Sequence, residues 1–349
     1  MMMYSDDYWS DISKAADEIP DVNSLYNKTI LITGGTGLVC SSVVDIMLYL
    51  NESRDAKIKI ILACRSKEKA IYRFGDFVAE GKVLVVDYDA TSTESIDIGS
   101  KVDYLIHGAS NATPSVFATQ PVETILANVL GLHTVLRSAL LASASRVLYV
   151  SSSEVYGSKQ SDKPYLEDNY GIIDILNQRA AYPLSKRTGE SLCIAYGIQH
   201  GLDTVIARPG HIYGPIIQKS DNRASAQFAR KAKNGEDIVM KSKGGQLRSY
   251  CHAFDCASAM LAILLTGEKD NAYNISNPNS ICTISELAQS IAKDAGVKVV
   301  FEAPSSLEKN SYNLMDNSSL SSIKLENLGW KPIFDLESGV HNMLNQFNE

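Results

Sequence analysis

No two of the chain's six cysteines, at positions 40, 64, 193, 251, 256 and 282, stand in CxxC spacing, and their spread fits neither a zinc site nor a disulfide framework. Reduced thiols in a cytoplasmic protein are the plain reading. None of the six histidines forms HExxH or another close ligand pair, so no metal site is expected. Positive charge is short as well: 33 Lys and Arg against 40 Asp and Glu give a formal net charge of -7. Bulk nucleic-acid binding needs clustered cations to neutralise phosphates, and none is expected here. A small anionic ligand needs only a local positive site. No run of about 18 apolar residues occurs, and even VVDIMLYL is broken by Asp45, so membrane insertion is not expected. The opening segment MMMYSDDYWSDISKAADEIP is acidic and lacks the apolar core of a signal peptide. Repeats and low-complexity segments are absent too.

What is present is an ordinary globular balance: 349 residues, 45% apolar and 21% charged, enough for one large α/β domain or two domains. Tyr8, Trp9, Ile12 and Ala15 predict an amphipathic helix in the extension 1–27, packed on the main body or on a partner subunit. From Lys28 the pattern becomes rhythmic. Strand-like runs at Thr29–Thr33, Ile58–Ala63, Val83–Val86, Tyr104–His107, Arg146–Val150 and Thr204–Ala207 alternate with helical stretches at Ser41–Leu50, Lys67–Phe74, Pro121–Ala142 and Pro183–His200. That alternation predicts a Rossmann-type doubly wound parallel sheet with helices on both faces. After Tyr213 the rhythm changes to a smaller mixed α/β part, with a loop at 214–222, helices at 225–234 and 284–295, and strands at 237–241, 273–275 and 297–301. The expected division is a dinucleotide domain over 28–213 plus parts of 249–280, and a discontinuous substrate domain over 214–349.

The first strand runs directly into Gly34-Gly35-Thr36-Gly37-Leu38-Val39-Cys40 and then a helix. Glycines at such a turn let the backbone approach a pyrophosphate, and the helix N-terminus offers unpaired N–H groups and a favourable dipole. Cys40 takes the third small position, where a packing role is expected. The end of the next strand reads Ala63-Cys64-Arg65, without the acid that usually meets the adenosine ribose of NAD. Arg65 could meet a 2′-phosphate or stack on adenine, so NAD and NADP both stay open.

These residues resemble the extended short-chain dehydrogenases, specifically the NAD-dependent epimerase/dehydratase family of nucleotide-sugar enzymes. The resemblance covers nearly all of the chain after Asn27 and rests on an ordered set: TGGTGLV, VVDYDA, LIHGAS, ANVLGLHTVL, SSSEVYG, YPLSK, ARPGHIYGP, QLRSYCHAFD and LGWKP. It implies that Asp89 and Ala90 lie by the adenine, that Gly108, Ala109 and Ser110 line the cofactor channel, and that Asn128 is structural beneath the site. Arg248 matches an arginine that grips the substrate diphosphate, and His211 stands where relatives often carry Asn. A nucleotide-diphosphate sugar is the implied substrate and a homodimer the implied assembly, through the helices 121–142 and 183–200.

Tyr182 and Lys186 are four residues apart, which puts both on one helix face. A phenol is a poor base at neutral pH, and a nearby ammonium is expected to lower its pKa. Pro183 fits only in a first turn, which predicts Tyr182 at the exposed mouth of the helix. Ser151 reads as a hydroxyl capping a strand end. Ser152 takes the family's Ser/Thr position, bonding the sugar hydroxyl that Tyr182 deprotonates. Ser153 and Glu154 bear on the fate of the 4-keto sugar. Ser153 replaces the Asp of 4,6-dehydratases, whereas Ser-Glu matches UDP-glucuronate decarboxylases. Those enzymes also use an arginine before the C-terminal Trp-x-Pro, and the segment Asp316–Ser322 has none. Glu154 acts at C5 or contacts the sugar, or else bonds nearby loop backbone. The leading expectation is a nucleotide-sugar 4-epimerase with retained NAD(P). The alternatives are a decarboxylase or dehydratase acting at C5, an NADP-dependent 4-keto-sugar reductase, and an inactive NAD(P)-responsive regulator.

Overall fold

The central strands of the main sheet, Thr29–Thr33 and Tyr104–His107 among them, are short apolar runs largely buried on both faces, which is the pattern a parallel sheet covered by helices demands. The computed structural model describes residues 4–112, 114–158, 162–303 and 315–347. Its strands are β1 Thr29–Thr33, β2 Lys59–Cys64, β3 Val83–Asp87, β4 Tyr104–His107, β5 Arg146–Val150, β6 Thr204–Pro209, β7 His211–Tyr213, β8 Ile238–Met240, β9 Leu247–His252, β10 Asn271–Ile275, β11 Ile281–Thr283, β12 Val299–Phe301 and β13 Asn317–Ser318. Seven of them form one sheet in the order β10-β6-β5-β4-β1-β2-β3, and every pairing in it is parallel. The order reverses between β1 and β4, so a crevice opens at their C-terminal ends, where doubly wound sheets bind ligands. β9 carries a second, smaller sheet with β7, β11 and β13, and β8 pairs with β12.

The helices α1 Asp6–Asp17, α2 Leu38–Arg54 and α3 Lys67–Ala79 come first, followed by α4 Pro114–Thr119, α5 Pro121–Leu141 and α6 Ala181–His200. Then come α7 Ala224–Lys233, α8 Ala253–Thr266 and α9 Ile284–Ala295. α1, α2 and α8 share one apolar cluster with one face of the sheet, while α5 and α6 share the other. By length and composition α5 alone among the described residues could cross a membrane, yet its Ala127, Leu132, Val135, Leu136 and Ala139 are buried.

The predicted strands β1, β4 and β5 are present with the expected bounds, and the other predicted strands and helices of the first half are present with shifted ends. α2 begins at Leu38 because Gly37 already serves as its N-cap. Asn271–Ile275 belongs to the edge of the main sheet, parallel to β6. α8 had no signal in the periodicity: AFDCASAMLAILLT is buried nearly all round, so no polar face alternates with an apolar one. The predicted N-terminal helix packs on its own chain, with Tyr8, Ile12 and Ala15 buried against α2 and α8.

Candidate active site

The cofactor end is built from the tips of β1, β2 and β4. Gly34 has φ +73°, and a Cβ there would lie 2.7 Å from the Ala109 amide nitrogen and the Gly108 carbonyl carbon, so only glycine lets the loop reach β4. The first turn of α2, Leu38 and Val39 included, has no side-chain cap on its N–H groups, and the Gly37 backbone is extended. These donors point where a pyrophosphate would sit, and they fit one. The Thr36 carbonyl accepts from Gln218 Nε2 at 3.0 Å, which ties the glycine loop to the segment after β7. Cys40 packs: a Cβ on Gly108 would come within 2.3 Å of its Sγ, and burial pushes its thiol up to about 12.

Ala109 N–H donates to Thr33 Oγ1 at 3.2 Å, and Ser110 Oγ donates to Asn128 Oδ1 at 2.7 Å. Asn128 in turn donates to Ser185 Oγ at 2.9 Å, and Ser185 donates to the Tyr182 carbonyl at 2.9 Å. One chain of bonds thus links the cofactor strand to the helix that carries Tyr182. Arg65 is exposed and lies within electrostatic reach of Asp89. The Asp89 carboxyl is held low by two bonds from Thr91, each at 2.8 Å, and then by Arg65. Ala90 lies against Gly131 of α5.

The chemical end comes directly after β5. Ser152 caps a short 3₁₀ turn over Ser153–Tyr156 by accepting from Glu154 N–H at 3.2 Å. Opposite it, α6 starts at Ala181, so Pro183 falls in the first turn, where its missing N–H costs nothing. Tyr182 is nevertheless not at an exposed mouth; it is only 6% exposed, its ring stacked on Phe117 with centroids 5.0 Å apart. The sequence signal marks the helix start but not α4, which covers it. Burial pushes the Tyr182 phenol up, Glu154 adds to this, and a hydrogen bond with Ser152 and the charge of Arg223 oppose it. Lys186 is not among the groups that lower it: its Nζ lies 5.9 Å from the Tyr182 ring centroid and donates to the Val150 carbonyl at 2.8 Å. Burial brings Lys186 itself down to about 7. Ser151 is not a strand-end cap either, because its Oγ donates to Glu190 Oε1 at 2.5 Å.

Glu154 lies within electrostatic reach of Arg179 and Arg248; burial pushes its carboxyl up and both arginines pull it down. Among the described residues its carboxylate accepts no hydrogen bond from the loop backbone. Arg248 on β9 is buried and donates to the Leu247 carbonyl at 2.9 Å. His211 on β7 is brought down to about 3 by burial, then by Arg248 and Arg223, and its Nδ1 is buried with no partner among the described residues. Sequence reasoning missed Arg179 and Arg223. Arg179 lies on the turn just before α6, and Arg223 is locked to Asp221 with Nε–Oδ1 at 2.9 Å. Basic residues in loops carry no periodic signal, and only the fold turns these two toward Glu154 and Tyr182.

Comparison with known proteins agrees with this fold. The profile of the NAD dependent epimerase/dehydratase family matches residues 30–276. UDP-glucuronic acid decarboxylase 6 of Arabidopsis thaliana is 30% identical over 325 residues, covering 92% of this chain and 89% of that protein. Among solved structures, UDP-glucose 4-epimerase from Thermotoga maritima with UDP-glucose superposes with a TM-score of 0.77 at 19% identity, over 91% of this chain and 98% of that one. dTDP-glucose 4,6-dehydratase from Bacillus anthracis in complex with NAD gives 0.75 at 19% identity, over 91% and 96%. At such identities the structural likeness speaks for the fold, and the profile with the decarboxylase relatives speaks for the family. The chain belongs to the NAD-dependent epimerase/dehydratase family and is one of its nucleotide-sugar enzymes.

Proposed function

We propose that the enzyme oxidises a nucleotide-activated sugar at C4 and then acts at C5, with decarboxylation of a nucleotide-linked uronate as the reading the geometry favours. The observation that carries it is Glu154, half-buried and within electrostatic reach of Tyr182, Arg179 and Arg248. The glycine loop, the α2 N-terminus, Asp89, Ala90, Gly108, Ala109 and Ser110 would hold the cofactor, which takes up the electrons of the sugar C4–H bond when bound. Asp89, which faces Arg65, supports NAD more than NADP, since its negative charge opposes a 2′-phosphate.

In this reading Ser152 holds the C4 hydroxyl and Tyr182 takes its proton. Lys186 holds the cofactor ribose. Arg248 and the unpartnered Nδ1 side of His211 meet the diphosphate end of the substrate. A C5 carboxylate beside a C4 ketone leaves readily as carbon dioxide, and the resulting enolate takes a proton at C5. In this reading Ser153 and Glu154 orient that carboxylate and handle that proton, and Arg179 supplies the cation. The decarboxylase names of the curated relatives support this order of events. A second reading, 4-epimerisation, is favoured by the lack of an arginine over 316–322 and needs only Ser152 and Tyr182.

Incubation with UDP-, dTDP-, GDP- and CDP-sugars, uronates included, separates the readings by mass spectrometry. Loss of carbon dioxide from a uronate supports the first, and an unchanged mass with a new epimer supports the second. Glu154→Gln is expected to lower uronate turnover about 100-fold and to leave any C4 epimerisation within a few-fold. Equal losses in both would refute a C5 role. A cytoplasmic location without membrane insertion belongs to the same proposal. So does a homodimer through α5 and α6, supported by exposed Val122, Ile125, Leu126 and Ile198. Leu126→Arg is expected to give monomers by light scattering; a monomeric wild type would end that part.

A further inference from the structure

α6 fastens the end of β5 and the segments after it through Lys186, Arg187 and Glu190. Lys186 takes the Val150 carbonyl at 2.8 Å. Arg187 Nε takes the Val155 carbonyl at 2.6 Å, and its Nη2 takes that of Gly171 at 2.9 Å. One turn on from Lys186, Glu190 accepts the Ser151 hydroxyl at 2.5 Å. Arg208 of β6 holds the same carboxylate by both edges, Nε to Oε1 at 2.9 Å and Nη2 to Oε2 at 2.7 Å. Glu190 is 9% exposed and Arg208 2%. A buried ion pair of this kind adds little net stability over an apolar pair of the same volume. Its place beneath the Ser152–Glu154 turn points to another use.

The groups facing Lys186 are Glu190, Cys193 and Tyr182 from its own helix, the Tyr149 ring of β5 at 4.9 Å, Cys40 of α2 and His107 of β4. Burial keeps both thiols protonated and His107 neutral. Among the described residues, Glu190 is therefore the negative charge that faces the ammonium. The groups facing Glu190 are Lys186, Arg208, Arg187, Cys193, Ser151 and the Tyr149 and Tyr156 rings.

We propose that Glu190 is a positioning residue for Lys186: locked between Arg208 and Ser151, its carboxylate keeps the lysine charged at the floor of the site. The inference rests on the role given to Lys186 above. Burial drives Lys186 toward its neutral form, and Glu190 leads the groups that resist. Loss of the negative charge lowers the pH at which the lysine discharges, so the alkaline limb of the activity profile moves down.

The test is the rate–pH profile of the holoenzyme on whichever nucleotide sugar the wild type turns over. Glu190→Gln keeps the shape and removes the charge, and its alkaline limb is expected about one pH unit lower. Glu190→Asp restores the charge and is expected to recover most of that shift. Ser151→Ala leaves the charge, loosens its hold and moves the limb by less. Should Glu190→Gln not fold, Glu190→Gln with Arg208→Met leaves neither charge of the pair buried alone. The lost cation offsets part of the effect, so its limb is expected below that of the wild type by less than about one pH unit, and an unmoved limb overturns the proposal. A lowered melting temperature with an unmoved limb would overturn the proposal. Failure of the parent reading is separate: Lys186→Met with full activity would remove the lysine's role, whatever Glu190 does.

Discussion

Tyr182→Phe is expected to lower kcat by two to four orders of magnitude, about the contribution of a positioned acid–base group, while the protein stays folded. The phenylalanine keeps the stack on Phe117, because that contact is ring on ring at 5.0 Å and an interplanar angle of 13°. What is lost is one hydroxyl, with its hydrogen bond to Ser152. The substrate KM should change by only a few-fold, since in the proposed function Arg248 and His211 meet the diphosphate end. Ser152→Ala is expected to cost less, about ten- to a hundred-fold, because it removes a hydrogen bond and not the proton acceptor. Steady-state kinetics on a confirmed substrate, with thermal unfolding alongside, checks both. Full turnover by Tyr182→Phe would sink the mechanism. The upward push on the phenol also has a consequence for pH: in the wild type the proton leaves Tyr182 only where Ser152 and Arg223 counter burial and Glu154. Glu154→Gln removes one of the two upward pushes, so any C4 oxidation it retains should show an acid limb shifted to lower pH.

How much of the molecule was legible in its sequence depended on the kind of signal. The strands β1, β4 and β5 could be bounded at both ends because four or five apolar residues flanked by turn residues admit few other readings. The glycine loop and the Tyr182–Lys186 spacing were legible because local geometry and chemistry coincide: a strand, a tight turn and a helix, or one helix face. The burial of Tyr182 was not legible, because Phe117 covers it from a different helix. Lys186 likewise turns to the Val150 carbonyl, a tertiary contact no spacing encodes. Ser151 looked like a local cap because its partner, Glu190, lies 39 positions away. Arg179 and Arg223 gained meaning only when β5, β7 and β9 converged. The same limit explains α8, whose side chains are apolar on every face because every face is covered.

Asp45→Ala is expected to cost about 3–5 kcal/mol of stability, the range for breaking one side of a buried ion pair. Asp45 on α2 is 0% exposed and pairs with Arg73 of α3, itself 5% exposed. Two phenols of the N-terminal segment complete the cluster: Tyr8 donates to Asp45 Oδ2 at 2.6 Å and Tyr4 to Oδ1 at 3.1 Å. Burial pushes the Asp45 carboxyl up, and Arg73 and the two phenols pull it back. Alanine would leave the Arg73 guanidinium buried without its counter-charge, and two donors short of an acceptor. The same extension reaches the last helix, Leu336–Asn345, where Asp11 accepts from Asn342 Nδ2 at 2.6 Å. α2 begins at the glycine loop, so loosening it at Asp45 should also weaken cofactor retention. Chemical unfolding with and without added NAD reads both effects. The double change Asp45→Leu with Arg73→Met removes the pair together and should recover much of the loss, since neither charge is then left buried alone. If Asp45→Ala were within about 1 kcal/mol of the wild type, the cluster would be no more than a surface-strength contact. The N-terminal segment would then owe its place to Ile12, Ala15 and Ala16, which pack under the sheet without help from charge.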